Sequence, residues 1–415
     1  MLQRTAALVA AMGLPLGLHR RALAGSGNGL RFVFVFAPGG WDPTRVLAAE
    51  RDNASVAMDS SEQSTYGDLR HVSHPARPSV DAFFAAHHER SVILNGVLVP
   101  AIAHELCTVI ALTGSASGER PDWAAQLADA EREQYTVPHL VLDGPSFAGE
   151  LGASVARVGT NGQLEALLSG DALHYGQTQV RELLPPSESM IDRYLLRRSK
   201  ARRDGSRSSL ERQLHEANVR ALQKAIDLKK RRYVMDFSGG TSFADQASVA
   251  TQALGEGLSR CVSLTYTGGG LGWDTHSNND ADQSVLWEGL FSGLGELMQL
   301  LSITPGNHQP TLAAETVVVV MSEMGRTPQL NAFAGKDHWP YTSVLMVGPG
   351  LVGGQVMGGF DALYYGKLID PSSGQIDEGG QPLSMETLGA TLLTLADIDP
   401  GEVLPGVAAL TGLLA

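Results

Sequence analysis

Six short apolar runs recur along the chain, at 31–36 (RFVFVF), 91–99, 139–142, 261–266, 316–321 (TVVVVM) and 343–347, each cut off by glycine, proline or a polar cluster. Valine, isoleucine and aromatic residues dominate them, and their lengths suit strands rather than helices. Between the runs the apolar spacing changes. Trp287, Leu290, Phe291, Leu294, Leu297, Met298 and Leu301 fall on one helical face, and 385–396 reads as a terminal helix stopped before Pro400. Strands alternating with helices predict an α/β domain, with a mostly parallel central sheet and helices on both of its faces.

Two segments depart from this pattern. Residues 188–233 hold 14 Lys and Arg against 6 Asp and Glu, a net +8 that leaves −21 for the rest of the chain. They read as a helical hairpin turning at Asp204-Gly205-Ser206, inserted between the first part of the domain (25–187) and the second (234–415). Such a hairpin is either a solvated helix pair or a docking face for a protein or polyanion partner. At the other departure, Arg4 precedes an apolar run of 14 residues (5–18), and Ala22-Leu23-Ala24 follows. That is the pattern of an export signal over 1–24, with a buried N-terminal helix as the alternative. The Arg20-Arg21 pair comes after the apolar run, where a twin-arginine signal would put it before. The run is too short to span a bilayer and no other is long enough. The expectation is an exported, periplasmic or extracellular protein with no transmembrane span in its mature chain.

Composition narrows the function classes. With 415 residues, 43% of them hydrophobic, the chain can bury a large core and wholesale disorder is excluded. A formal net charge of −13 argues against a nucleic-acid binder. The two cysteines, Cys107 and Cys261, lie in apolar stretches and read as buried free thiols, so a cysteine-rich zinc site is excluded. The patch His71, His74, His87 and His88 lies in a polar segment and reads as surface.

Four polar clusters follow the predicted strands: Gly39-Gly40-Trp41-Asp42; His104; Gly272-Trp273-Asp274-Thr275-His276; and Ser322-Glu323-Met324-Gly325-Arg326 with Lys336-Asp337-His338-Trp339 beyond it. In a parallel sheet these strand ends share one edge, where ligands bind. Converged, the clusters offer the carboxylates of Asp42, Asp274, Glu323 and Asp337 and the imidazoles of His104, His276 and His338. Oxygen and imidazole donors without thiolate suit zinc, manganese, magnesium or calcium. Such an ion polarises a phosphoryl or sulfuryl oxygen, and Arg326 could clamp an anionic ester through parallel hydrogen bonds. Each cluster also has a local reading: a turn or helix cap at Asp42, and structural ion pairs at Glu323–Arg326 and Asp337–His338.

The motifs Ser322-Glu-Met-Gly-Arg-Thr-Pro328, Gly335-Lys-Asp-His-Trp-Pro340 and Gly272-Trp-Asp-Thr-His276 resemble those of the bacterial family called domain of unknown function 1501. The resemblance extends through Gly353-Gly-Gln-Val356 to the 388–400 tail. That family is similar to the alkaline phosphatase and sulfatase superfamily, which implies an α/β sandwich with metal at the strand ends. By this resemblance Asp42 matches the first metal carboxylate, Asp274 and His276 a later metal pair, and His338 with Asp337 the last metal histidine. Ser322-Glu323-Met324-Gly325 stands where the superfamily has Ser-Asp-His-Gly. His104 precedes Thr113-Gly114 at the distance of the sulfatase nucleophile, but His104, Leu106 and Thr108 replace the Cys or Ser, Pro and Arg of the formylglycine signature. The resemblance thus implies a hydrolase of small phosphate or sulfate esters, using one divalent metal ion or two, and the N-terminal pattern adds the expectation of export. His104 would serve as nucleophile, or as ligand or general acid/base beside an attacking water. A catalytically inactive binding or assembly module on the same fold is the alternative.

Overall fold

The computed structural model describes residues 28–158, 185–231 and 241–415. The expected export signal at 1–24 lies outside them, as do the last two positions of the 188–233 segment. Fourteen strands occur among the described residues: β1 Arg31–Phe36, β2 Glu62–Tyr66, β3 Leu69–Ser73, β4 Ser91–Leu98, β5 His139–Val141, β6 Val155–Arg157, β7 Cys261–Thr265, β8 Thr316–Met321, β9 Gly325–Arg326, β10 His338–Trp339, β11 Tyr341–Val347, β12 Gln355–Gly358, β13 Leu368–Ile369 and β14 Gln381–Pro382. All six apolar runs of the sequence are strands of one eight-stranded sheet, ordered β12-β4-β11-β8-β1-β7-β5-β6. The three two-stranded ribbons (β2-β3, β9-β10, β13-β14) were not legible, because they are short or polar.

β1 pairs in parallel with β7 and β8, β7 with β5, and β5 with β6, while β12 runs parallel to β4. Only β11 is reversed, antiparallel to both β4 and β8. This one reversal matters for the site. The C-terminal ends of β1, β4, β7 and β8 share an edge, and β11 delivers its N-terminal flank, residues 337–340, to that same edge.

The alternation along β1 shows how the sheet is covered. Val33 and Val35 face a core built with the helices Pro78–His87, Phe243–Gly255 and Asn279–Ile303. Phe32, Phe34 and Phe36 face a second core with His104–Thr113, Trp123–Ala130 and Met385–Leu395. Helices therefore lie on both faces, as the α/β pattern predicts. Cys107 and Cys261 are buried free thiols, and burial pushes the Cys107 thiol up to about 12.

The helix Asn279–Ile303 starts well before its apolar stripe, because its first turns bury polar residues, Asn279, Gln283 and Ser284. Those residues serve the site below. The basic segment forms the helices Pro185–Asp204 and Ser209–Arg231, joined by Arg203–Glu216 and Lys229–Asp192 ion pairs, with Ala225 and Leu228 reaching the first core. No helix among the described residues is long and apolar enough to cross a membrane.

The histidine patch is not all surface. His71 is fully buried, stacked between Tyr66 and Phe84, and bonded to Asp81 at 2.8 Å. Neighbouring aromatic faces from β2 and the Pro78–His87 helix bury it, which its polar sequence surroundings concealed.

His139, at the start of β5, is also fully buried, 2.8 Å from the Ser263 hydroxyl, and burial lowers its pKa. The unfolded chain therefore takes up a proton near pH 6.5 that the folded chain refuses. Its contribution is complete above about pH 6.5 and is lost as pH falls. Urea midpoints should drop between pH 7 and pH 5, and His139→Gln should narrow that drop; an unchanged drop would show that His139 contributes nothing.

Candidate metal centre

The strand-end loops are drawn together by a buried guanidinium. Arg326 is fully buried, and donates to the carbonyls of Gly40 (2.7 Å), Lys336 (3.1 Å), Trp273 (3.2 Å) and Gly39, and to Asp274 Oδ1 at 2.6 Å. Three loops are thereby pinned to one planar cation. Their approach requires glycine: a Cβ on Gly39 (φ 119°) would lie 2.9 Å from the Asp274 nitrogen, and one on Gly335 would lie 1.9 Å from the His276 carbonyl carbon. The expectation that Arg326 clamps a substrate is corrected here. Its N–H groups are spent on the protein, and it positions Asp274.

Asp42 is likewise not where a ligand would be. It is fully buried; its Oδ1 accepts from the Thr44 nitrogen and hydroxyl, and its Oδ2 from Asn279 (2.8 Å) and Lys336 Nζ (2.9 Å). Burial alone would raise this carboxyl, but Lys336, Arg45 and Thr44 outweigh it and hold it well below the usual carboxylate range. Lys336, itself fully buried, fills the cation role that a metal would have. Asp42 thus caps the 3-10 turn Pro43–Arg45 and anchors a buried ion pair, as its local reading allowed.

The other predicted residues do converge. His104 is the first residue of its helix, just past β4; Asp274 and His276 follow β7; His338 opens β10. His338 Nε2 lies 3.2 Å and His276 Nε2 3.1 Å from Asp274 Oδ1, and the two imidazole nitrogens are 3.0 Å apart. His104 Nε2 lies 3.4 Å from Asp274 Oδ2 and has no hydrogen-bond partner although the atom is buried. One ligand atom each from His104, Asp274 and His338 falls within 4.8 Å of the other two.

The remaining two carboxylates stand behind the histidines. Glu323, 1% exposed, accepts from His104 Nδ1 at 2.8 Å, and is itself held by the Gly39 nitrogen (2.7 Å) and the Ser322 hydroxyl (2.9 Å). Asp337 accepts from His276 Nδ1 at 2.9 Å, and the Ile102 carbonyl accepts from His338 Nδ1 at 2.6 Å. In this geometry Glu323 and Asp337, expected as ligands, each use an oxygen to orient an imidazole. Every Nδ1 faces an acceptor, so in a neutral imidazole the ring proton belongs there and Nε2 presents a lone pair. The Glu323 bond raises the His104 pKa against the effect of burial. Asp274 is held down at about 2: burial opposes this, but Arg326 prevails, with His338 and His276 adding to it when they carry a proton at Nε2.

Three features escaped the sequence reading: Lys336 as the partner of Asp42, the Ile102 carbonyl, and a tryptophan cluster beneath the site. Trp41 stacks on Trp287 at 4.7 Å, and Trp273 meets Trp287 edge-on at 5.2 Å. The signal for the cluster was present, since Gly-Trp-Asp occurs twice, at 40–42 and 272–274.

The family model described as protein of unknown function (DUF1501) matches residues 76–411. The chain belongs to the DUF1501 family. No curated protein matches it. Among solved structures, it is similar to the lipoteichoic acid synthase LtaP from Listeria monocytogenes (10% identity, 98% of this chain and 81% of that one, TM-score 0.41). It is also similar to a protein in the alkaline phosphatase superfamily from Vibrio parahaemolyticus (10% identity, 99% and 78%, TM-score 0.35). A third similar structure is the phosphonate monoester hydrolase of Agrobacterium radiobacter (12% identity, 92% and 77%, TM-score 0.35).

The DUF1501 geometry makes Lys336 the counter-charge of a buried carboxylate, and removing one partner of such a pair costs about 3–5 kcal/mol. Lys336→Met should lose stability of that order in urea unfolding, and Asp42→Asn added to it should restore part of the loss. A cost below about 1 kcal/mol would mean that Asp42 does not depend on Lys336.

Proposed function

We propose that this DUF1501 protein is a metal-dependent hydrolase of phosphate or sulfate esters, with its cation held by Nε2 of His104, His276 and His338 and by the Asp274 carboxylate. One observation carries the reading. Three imidazoles have their Nδ1 protons committed to Glu323, Asp337 and the Ile102 carbonyl, and their lone pairs gather at one carboxylate. Two bare nitrogens 3.0 Å apart require a proton or a cation between them. The 3.0–3.2 Å separations among His276 Nε2, His338 Nε2 and Asp274 Oδ1 are close to the about 3.3 Å between donors around a tetrahedral zinc at about 2.0–2.1 Å. The orphaned His104 Nε2 is the further sign of a missing partner. Three nitrogens and one oxygen suit zinc best among divalent ions.

An ion held by these four donors would have to take a fifth ligand to meet substrate or water, and would then supply Lewis acidity toward a phosphoryl or sulfuryl oxygen and a nucleophilic water at neutral pH. The protein's part is positioning. Arg326 fixes Asp274, Glu323 fixes His104, and Asp337 fixes His276, so the donor set is preorganised. Of the two roles expected for His104, its fixed Nε2 lone pair favours coordination over nucleophilic attack. The helix that His104 begins has no side-chain cap at Ala103, so its first N–H groups are available to a developing oxyanion. The apolar run at 5–18 supports placing the protein outside the cytoplasm.

Zinc titration by calorimetry, with metal content of the purified protein, tests this. We expect one zinc per chain, a loss of affinity of at least about a hundredfold in Asp274→Asn or His338→Ala, and about ten- to a hundredfold in Glu323→Gln. Zinc affinity indifferent to Asp274→Asn would sink the reading.

A further inference from the structure

Beside the cluster opens a cleft of about 600 Å³. Phe36, Val109, Pro145 and Phe147 form an apolar wall, and its charges are Glu105, Asp274 and Glu323. No lysine or arginine is among the described residues that line it. The two cations in the adjoining loops are both buried and committed, Arg326 to carbonyls and Asp274, Lys336 to Asp42 and Thr44. Glu105, in contrast, is exposed in the first turn of the His104–Thr113 helix, next to the cluster.

Charge therefore limits what can enter. Four carboxylates (Glu105, Asp274, Glu323 and Asp337) against one guanidinium leave the site three negative with neutral histidines, and one negative once it holds a divalent ion. Beyond that ion, among the described residues that line the cleft, positive potential comes from the uncapped helix end, equivalent to about half a charge. A phosphate monoester brings two negative charges above pH 7, since its second pKa is about 6. A phosphodiester or a sulfate monoester brings one.

We propose that the cleft selects singly charged esters with an apolar arm, phosphodiesters or sulfate monoesters, and that Glu105 turns away dianionic monoesters. This rests on the metal-centre reading above. The arm lies against the Phe36, Val109, Pro145 and Phe147 wall, and the single charge is placed at the cluster. One extra like charge within about 7 Å of Glu105 weakens binding by about tenfold or more at an effective dielectric constant near 20.

The test uses three probes that share a phenyl arm: methyl phenyl phosphate and phenyl sulfate, both monoanions, and phenyl phosphate, a dianion at pH 8. Zinc affinity is measured first, and the zinc-loaded full chain is then titrated with each probe by calorimetry. The expected result is at least one monoanion binding about tenfold or more tightly than phenyl phosphate. Glu105→Gln should close most of that gap while leaving zinc affinity unchanged, and the tighter monoanion identifies the ester type. Phenyl phosphate binding as tightly as both monoanions, with zinc bound, would overturn the selectivity and leave the metal centre standing. A gap untouched by Glu105→Gln would overturn the role of that residue, and failure to bind zinc would sink both proposals together.

Discussion

The Arg326 guanidinium is the constraint on which the site depends. It lies where three loops meet, with no exposure to solvent, and takes carbonyls from the 39–40, 273 and 336 segments together with the Asp274 carboxylate. A buried cation is tolerated only when its donors are satisfied, so the loops cannot separate without stranding it. That makes the loop arrangement nearly all-or-none. Arginine suits this position better than lysine, because a planar fork can serve several fixed acceptors at once.

Around this strut the charged residues sort into two layers. Asp42, Lys336, Arg45 and Asn279 form a buried electrostatic base, roofed by the tryptophan cluster and fed by the polar first turns of the Asn279–Ile303 helix. Such a base adds little net stability, since desolvation offsets attraction, but it fixes where the loops lie. The second layer is Asp274 and the three imidazoles, each imidazole oriented from behind by an oxygen, with Asp274 and His104 lining the cleft. Orientation from behind fixes how the three imidazoles meet Asp274, as supporting oxygens do for histidines that bind metals.

The legibility of the molecule in its sequence followed the range of the interactions involved. Strands such as RFVFVF and TVVVVM were plain, because burial on both faces demands continuous apolar residues whatever their partners. The polar start of the Asn279–Ile303 helix was hidden, because its buried amides serve a carboxylate more than two hundred residues away in sequence. His71 misled for the same reason, since the aromatic rings that bury it come from separate elements.

The sequence by itself determined the α/β architecture, the strand-end clusters and the DUF1501 motifs, since local apolar patterning and short motifs need no partner to be read. Which of seven acid and imidazole side chains converge on one another, and which stand behind or beneath them, was decided only by tertiary structure. A carboxylate becomes ligand, support or buried counter-ion according to which oxygen meets which donor. Asp42 and Asp274 both follow Gly-Trp, yet Lys336 reaches one and three imidazoles reach the other.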